Sequence, residues 1–499
     1  MKFGIDNREF QFDVVLVNAD GEVFPFKKSA IKYLELTDDL FSPFHSGQLI
    51  VDNTQEIIEA GSSGVKSSNG YMFRADGRDL CLITIYPDTN QGNSDIHQQE
   101  SNLEKHLALQ FVFSLYDETE NIDPLGQFKQ KHFALIDFRE SLLKEINLNF
   151  SSNNIPEVSG NINSGRKERS GYTGDIIKNI LLETFSISSK GNTFENMFPP
   201  EKFDIGKNRI QYTSPPYFKA WDDLMYVLGF HSSQEKDDGC ILQCERQLST
   251  QSKTNEFTLL PLHKYFEFGV SNAAEYCLES IFLGKVEEIS SQLSRVRNKL
   301  ILPFIPDYCS SANFKFLNPT PHITNSDWNN GIISGYRPDE KTFQFSAVKM
   351  EDIRNEFNEL YVKHFSRIVS SPTPNIVLNN IRKTNGNFKL DFCDHITATN
   401  EVLTSRMRTR LLNSLIFTNS LCQFTIPGYT HRSSGKFLDI FFLDENISGQ
   451  SSDNNFTIKS EGRWFITRIK HIFNGDTYIN NVDCVKPYFN ENIQFNEDL

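Results

Sequence analysis

Adjacent acidic residues are the feature of this 499-residue sequence that comes nearest to a catalytic arrangement. Two carboxyl groups about 5–9 Å apart are enough to cleave a glycosidic bond, without any linear motif. The candidate pairs are Asp38-Asp39, Asp222-Asp223 and Asp237-Asp238. Side chains of neighbouring residues diverge in direction, so spacing alone makes none of these pairs catalytic. We interpret the first as a loop end, the second as the exposed start of a helix, and the third as a turn before glycine.

Three other patterns that could do chemistry are weaker. Gly61-Ser62-Ser63-Gly64 is one residue short of a nucleophile elbow and lies in a polar loop. Asp391-Phe392-Cys393-Asp394-His395 gathers four potential metal ligands, but strand alternation would divide them between two faces. Gly435-Lys436 lacks the glycine five residues earlier that a phosphate-binding loop needs. We therefore expect a protein that is not an enzyme, with no catalytic residue, no cofactor and no metal.

Arg406, Arg408 and Arg410 form the one basic concentration of interest. They could contact nucleic acid or the carboxylates of a partner, but a solvated helix face is the commoner role of such a run. The chain as a whole is acidic, with 50 Lys and Arg against 64 Asp and Glu, and residues 1–150 hold 13 basic and 24 acidic residues. A negative field repels phosphates, so we expect no specific binding of nucleic acid.

Composition indicates a folded, multi-domain protein. Hydrophobic residues make up 38% of the chain and aromatic residues 12%. No segment approaches the roughly 18 uninterrupted apolar residues that span a bilayer, and the N-terminus has no signal-peptide core. The 8 cysteines are spread along the chain without the spacing of a zinc site, which favours a reducing compartment.

Hydrophobic periodicity divides the chain into four regions. Region 1–150 alternates apolar and polar residues, as in Leu107–Leu115, and is predicted to be a small β-barrel. A polar stretch then leads into 151–270, a predicted α+β domain whose helices include Ile177–Phe185 and one that begins at a Ser214 cap. Region 271–399 is predicted to be irregular and mixed, with some of its strands completing a second barrel.

Region 400–499 carries the clearest local signal and is predicted to be that second β-barrel. Two apolar runs, Arg463–Phe473 and Tyr478–Val485, flank the pair Asn474-Gly475. Asn-Gly supplies the positive φ angles that a two-residue type I′ turn requires, so these runs predict a hairpin. The fold class predicted overall is mainly β with α+β insertions, containing two small antiparallel β-barrels and a mixed middle region.

Both ends of the chain resemble the central baseplate hub proteins of contractile-tailed phages, a family shared with bacterial contractile injection systems. The C-terminal run 461–471 is similar to the last hairpin of those hubs, and Leu34–Leu40 with Pro43–Val51 is similar to the start of their first barrel. The resemblance covers about 240 residues, and the order of its short motifs carries it. The C-terminal residues that match are Pro427, Gly428, Gly462, Arg463, Trp464, His471, Asn474 and Gly475.

This resemblance implies a structural virion protein without enzymatic activity. It implies a homotrimer in which each chain supplies two tube-type barrels, so that six barrels surround a genome-ejection channel. Its implied partners are further copies of itself, a trimeric central spike, hexameric tail-tube or tube-initiator proteins, and a tape-measure protein. DNA would pass without specific binding. The implied location is the tail baseplate of the virion, assembled in the host cytoplasm.

Two alternatives stay open at this point. Many β-rich, aromatic-rich viral proteins bind or cleave glycans, so a glycan-binding or glycan-cleaving tail protein is the main competitor. The other alternative is the hub of a bacterial contractile injection system, which would share the fold but deliver effectors instead of a genome.

Overall fold

The structure is a computed structural model, and it describes residues 11–52, 76–86, 109–148, 171–188, 197–284, 307–317, 331–348, 396–442 and 462–486, with short gaps inside several of these ranges. Within these ranges strands greatly outnumber helices. The prediction of a mainly β fold is therefore confirmed.

The helices and strands have the following bounds. The α-helices are α1 Phe138–Glu145, α2 Thr173–Ser188, α3 Ala220–Leu228 and α4 Leu262–Ser271, and a 3-10 turn covers Lys28–Ala30. The strands are β1 Gln11–Val17, β2 Val23–Pro25, β3 Ile31–Asp39, β4 Ser46–Asp52, β5 Asp76–Tyr86, β6 Leu109–Ile122, β7 Lys129–Asp137, β8 Gly171–Tyr172, β9 Arg209–Tyr212, β10 Cys240–Cys244, β11 Gln247–Leu248, β12 Phe257–Pro261, β13 Cys277–Gly284, β14 Asp307–Ser310, β15 Phe314–Leu317, β16 Gly331–Arg337, β17 Thr342–Val348, β18 Ile396–Thr397, β19 Leu421–Pro427, β20 Phe437–Phe442, β21 Gly462–Asn474 and β22 Thr477–Val485.

One large sheet contains 15 of these strands. Its main path runs β14, β13, β20, β21, β3, β4, β7, β6, β5, β1 and β2, while β22, β19 and β15 branch from β21 and β11 pairs with β6. The pairings are antiparallel, except that β13 runs parallel to β14 and to β20. The described strands do not close into two separate rings. Instead, strands from the two ends of the chain belong to one continuous sheet.

The N-terminal strands form because apolar residues alternate along them, which places one face in the core. In β6, Phe111, Phe113 and Leu115 are buried as the alternation predicts, and Val14 and Leu16 of β1 are buried in the same cluster. That cluster also draws in residues of β3, β4, β5 and β7. Its last member is Phe473 of β21, so the N-terminal core is completed by a side chain from the far end of the sequence.

A second core surrounds the helices of the middle region. Ile177, Ile180, Leu181 and Phe185 of α2 are buried in it, which confirms the helix predicted from their spacing. The start of α3 differs from the prediction, because the helix begins at Ala220 and not after a Ser214 cap. The reason is steric, since a residue followed by proline disfavours the helical conformation and two consecutive prolines follow Ser214. Lys219 occupies the N-cap position, and its backbone N–H donates to the Asp222 carboxylate at 3.0 Å.

Gly47 of β4 allows β3 and β4 to approach closely, because a Cβ atom there would lie 2.3 Å from the carbonyl oxygen of Glu35. We expect Gly47→Ala to lower the free energy of unfolding by about 2–4 kcal/mol, since backbone must move to relieve the clash. The matched control is Gln48→Ala, at the exposed next position of β4, with an expected change within about 0.5 kcal/mol. Thermal unfolding measures both, and equal midpoints would show that the two strands are not packed in this register.

Candidate functional site

The ladder between β3 and β21 joins the two ends of the chain, and we call it the seam. It pairs Tyr33–Asp39 with Arg468–Asn474 in antiparallel register, from Arg468 opposite Asp39 to Asn474 opposite Tyr33. The seam lies where both stretches that resemble hub proteins meet, which makes it the candidate functional site. Such a ladder holds two β regions in fixed relative positions.

A charged layer crosses the seam on its half-buried face. The Lys470 ammonium group donates to Glu35 Oε1 at 2.8 Å, and the Tyr33 hydroxyl donates to Glu35 Oε2 at 2.5 Å. Burial opposes ionisation of Glu35, but the hydrogen bonds from Lys470, Tyr33 and Thr37 outweigh it and lower the pKa of this carboxyl group. Burial and the neighbouring Glu35 carboxylate together raise the pKa of Tyr33. Glu35 is therefore held as an anion against Lys470.

Hydrogen bonds other than those of the ladder also connect the end of β3, and Leu40 after it, to the C-terminal region. The Leu40 N–H donates to the carbonyl oxygen of Thr467 at 2.8 Å. Asp38, which is only 7% exposed, accepts the Ser434 hydroxyl at 2.6 Å and the Ser434 backbone N–H at 3.1 Å. Hydrogen bonds to a carboxylate are strong, so the two bonds from Ser434 to Asp38 add a further connection between β3 and the C-terminal region.

The predicted motif residues at the start of β21 are structural. Gly462 is the first residue of β21, and Arg463 is half-buried opposite Asp439 of β20. Trp464 is 1% exposed in an apolar cluster with residues of β19, β20 and β22, and the Lys486 ammonium group lies 5.7 Å from the centre of its ring. The aromatic residue after Gly-Arg therefore anchors β21 in the C-terminal core.

His471, a residue of the seam, lies at the centre of a network of polar side chains. Its Nδ1 atom lies 2.8 Å from the Tyr478 hydroxyl and accepts from the Asn480 amide at 3.0 Å. Asn480 in turn accepts from the buried Arg432 guanidinium group at 2.8 Å. The ring of Tyr478 also stacks on Phe473 with centroids 4.3 Å apart. The histidine is 2% exposed and positions the two strands of the hairpin.

The remaining motif residues shape the hairpin and its neighbour. Pro427 ends β19, and the Gly428 N–H donates to the Tyr478 carbonyl oxygen at 2.9 Å. A Cβ atom at Gly428 would lie 2.3 Å from the Tyr478 ring. Asn474 pairs with Thr477, so the turn is centred on positions 475–476, one residue later than the predicted Asn474-Gly475 turn, and Gly475 supplies the positive φ of 57°.

The acidic pair in α3 does not have the fully exposed position that we predicted, and the pair in β3 has one buried member. Asp38 and Asp39 are the last two residues of β3, next to the turn that begins at Leu40. Asp223 is fully buried in α3, where it accepts the Tyr212 hydroxyl at 2.5 Å and the Ser214 hydroxyl at 2.8 Å, while Asp222 is exposed as predicted. Burial raises the pKa of Asp223 despite these two donors. The burial of these acids was not predicted, because a sequence pattern does not show which polar side chains will lie next to each other in the folded core.

A second buried polar group lies around the start of α4. Asp238 accepts the His263 backbone N–H and approaches its ring Nδ1, both at 2.8 Å, and His263 Nε2 lies 3.1 Å from Glu235. A carboxylate at the first turn of a helix is stabilised by the exposed N–H groups there. Nearby, burial lowers the pKa of His231 to about 4, against the opposing effects of Asp204 and Asp238. His231 is therefore neutral at pH 7.

Ser434, Asp38 and His45 combine the residue types of a serine hydrolase but not its geometry. A nucleophilic serine needs a histidine as its base. Here the Ser434 hydroxyl donates to Asp38, and His45 Nε2 lies 3.9 Å from that same carboxylate oxygen. All three side chains are buried, and the hydrogen bond from Ser434 to Asp38 ties β3 to the segment that precedes β20.

The basic run differs from the solvated face that we predicted. Arg406 and Arg408 are half-buried, and the Arg406 guanidinium group lies 4.0 Å from the centre of the Phe230 ring. A guanidinium group over an aromatic face is attracted by the ring quadrupole. Arg406 therefore packs against the end of α3. Arg410, Gly61–Gly64 and residues 391–395 lie outside the described part of the chain.

The residues that the structure describes show neither a metal site nor a helix that could span a membrane. Among them, no three His, Cys, Asp or Glu side chains are placed to hold a metal ion. None of the helices described above is both long enough and apolar enough to cross a bilayer.

Comparison with known proteins gives structural similarity but no family. No family model and no curated protein matches the sequence. The tail protein from Neisseria meningitidis MC58 is a similar solved structure, with a TM-score of 0.44, 6% identity, and coverage of 95% of this chain and 96% of that chain. The 43 kDa tail protein of prophage MuSo2 from Shewanella oneidensis has a TM-score of 0.44 and 9% identity, covering 95% and 98%. A PdpA-VgrG complex has a TM-score of 0.41 and 11% identity, covering 97% and 66%. At these values, none of them assigns the chain to a family.

We expect Glu35→Gln to lower the free energy of unfolding at pH 7 by about 1–2 kcal/mol, because it removes the charged acceptor of Lys470 and Tyr33. The folded pKa of Glu35 lies below its unfolded value. The contribution of Glu35 to stability is therefore complete at pH values above the ordinary glutamate pKa of about 4.3. It is lost as the pH falls through the pKa of Glu35 in the folded chain. Denaturant titrations at a series of pH values measure this effect. The difference in the free energy of unfolding between Glu35→Gln and the wild-type chain should become smaller below about pH 4.

The matched control is Lys32→Met on the same strand. Lys32 makes a longer ion pair with Asp52, at 3.6 Å, and its side chain is 45% exposed. Ion pairs that are screened by solvent contribute little to stability, so Lys32→Met should change the free energy of unfolding by no more than about 0.5 kcal/mol. Equal effects of the two variants, or a Glu35→Gln effect that does not depend on pH, would contradict the charged layer of the seam.

Proposed function

We propose that this chain is a structural hub protein of a contractile tail and not an enzyme. In this proposal three copies form a ring, and each copy contributes two tube-type β regions, one from each end of the chain. Six such regions then match a hexameric tail tube on one side, and the threefold ring holds a trimeric spike on the other. The ring lines part of the channel through which a genome is ejected from the virion, without binding it specifically.

The observation that carries this proposal is the seam. A protein that converts threefold into sixfold symmetry must hold two β regions of one chain in a fixed relation, because any hinge between them would spoil the sixfold match. A hydrogen-bonded ladder of seven residue pairs, reinforced by Glu35, Lys470 and Asp38, is a rigid connection of this kind.

The sequence motifs support the same proposal. The residues that resemble the last hub hairpin lie in or beside the seam, and Gly47, in the stretch that resembles the first hub barrel, packs against β3. The similar solved structures are tail proteins and a VgrG complex, which agrees with the proposal without carrying it.

Native mass measurement of the purified full chain, followed by electron microscopy, tests the proposal. We expect a mass three times that of the 57.4 kDa chain and a ring-shaped particle with a central opening. Addition of its candidate spike protein should increase the mass by one spike trimer. A tail protein that cleaves glycans would instead release oligosaccharides from host envelope polysaccharide.

A monomer at micromolar concentration that does not bind the spike would contradict the hub proposal, and so would release of oligosaccharides by a particle without a ring. The matched control is Glu35→Gln. It weakens the seam by removing the charged acceptor of Lys470, so any dissociation of the trimer should accompany a loss of stability of the chain.

A further inference from the structure

Cys422 and Cys484 lie directly opposite each other in the antiparallel ladder between β19 and β22. Direct partners in such a ladder share a face of the sheet. Both residues are present as thiols, and they are 0% and 1% exposed in the apolar cluster that contains Trp464. The two sulfur-bearing side chains therefore enter the same core side by side.

The spacing of such partners suits a disulfide. Directly opposed residues of antiparallel strands have Cα atoms about 4.5–5.5 Å apart. Disulfides join residues whose Cα atoms are about 4.4–6.8 Å apart. The two ranges overlap, so direct partners in an antiparallel ladder can meet the Cα separation that a disulfide requires.

We propose that Cys422 and Cys484 form a covalent modification site, a cross-strand disulfide that staples β19 to β22 when the chain meets a small-molecule disulfide. One cysteine, as its thiolate, attacks a sulfur of the oxidant and releases the first thiol, which leaves a mixed disulfide. The second cysteine then attacks the protein sulfur and releases the second thiol. The protein loses two protons and two electrons, and the oxidant gains them.

The position of the pair explains how an oxidant reaches buried sulfurs. Only Leu421 opposite Val485 separates the pair from the end of this ladder. Strand ends open more often than strand centres, and each opening exposes the thiols briefly. Once formed, the disulfide is buried again and protected from reductants.

The other cysteines with described side chains are not arranged in this way. Cys81 is fully buried, and its direct partner on β1 is Leu16 and not a second cysteine. Cys240 and Cys244 lie on one strand four residues apart, which places their Cα atoms about 13 Å from each other. Oxidation should therefore select the β19–β22 pair from these five cysteines.

The staple would strengthen the part of the sheet that supports the seam. It joins β22, the hairpin partner of β21, to β19, which in turn carries β15. Cross-linking residues that are far apart in the sequence restricts the unfolded chain, so the thermal midpoint should rise by roughly 3–6 °C.

The test incubates the purified full chain in glutathione buffers of increasing oxidised fraction, alkylates the remaining thiols and maps the peptides by mass spectrometry without reduction. We expect a Cys422–Cys484 peptide pair, two hydrogens lighter than its separate parts, and a rise in thermal midpoint that dithiothreitol reverses. Cys422→Ala should abolish both signals, whereas Cys240→Ala should keep both.

Alkylation of both cysteines as thiols in fully oxidised buffer would overturn the proposal. Glutathione attached to either cysteine without a linked peptide pair would overturn it too. If Cys422→Ala does not fold, the reversible midpoint shift of the wild-type chain, read together with its peptide map, decides the question.

Discussion

The antiparallel ladder between β3 and β21 is the interaction on which the large sheet depends. On one side of it, β3 leads through β4, β7, β6 and β5 to β1 and β2, and on the other side β21 leads to β20 and β22. Without this ladder the described strands would form two sheets, one from each end of the chain. The loop entropy that opposes pairing of such distant residues grows only logarithmically with length, adding about 0.6 kcal/mol for each doubling, so a few good hydrogen bonds offset it.

Buried polar groups give this arrangement its specificity. Asp38 accepts from Ser434, and Asp223 accepts from Tyr212 and Ser214, so each buried acid connects separate segments of the chain. A buried carboxylate without such donors costs several kcal/mol, which penalises any other packing of the same strands. These acids look like catalytic candidates in the sequence, and their burial gives them a structural role.

Local features were predictable from sequence, and the seam was not. Alternation located β6, helical spacing located α2, and the Asn474-Gly475 pair located the last hairpin to within one residue. These features depend on neighbours in the chain. The seam depends on pairing across more than four hundred residues, and periodicity carries no information about which strand lies next to which. One signal was present: acidic Glu35 and Asp39 fall on one face of β3, and basic Arg468 and Lys470 fall on one face of β21. Opposite charges on neighbouring strands favour their pairing.

The most direct test of the seam is register-specific cross-linking. Thr37 and Lys470 are direct partners, whereas Arg468 lies opposite Asp39. The account predicts that the double variant Thr37→Cys, Lys470→Cys forms a linked peptide under mild oxidation in the folded chain. The double variant Thr37→Cys, Arg468→Cys places the two cysteines two residues out of register, so it should form little linked peptide. Equal yields from both variants, or no linked peptide from the first, would show that the two ends of the chain are not joined in this sheet.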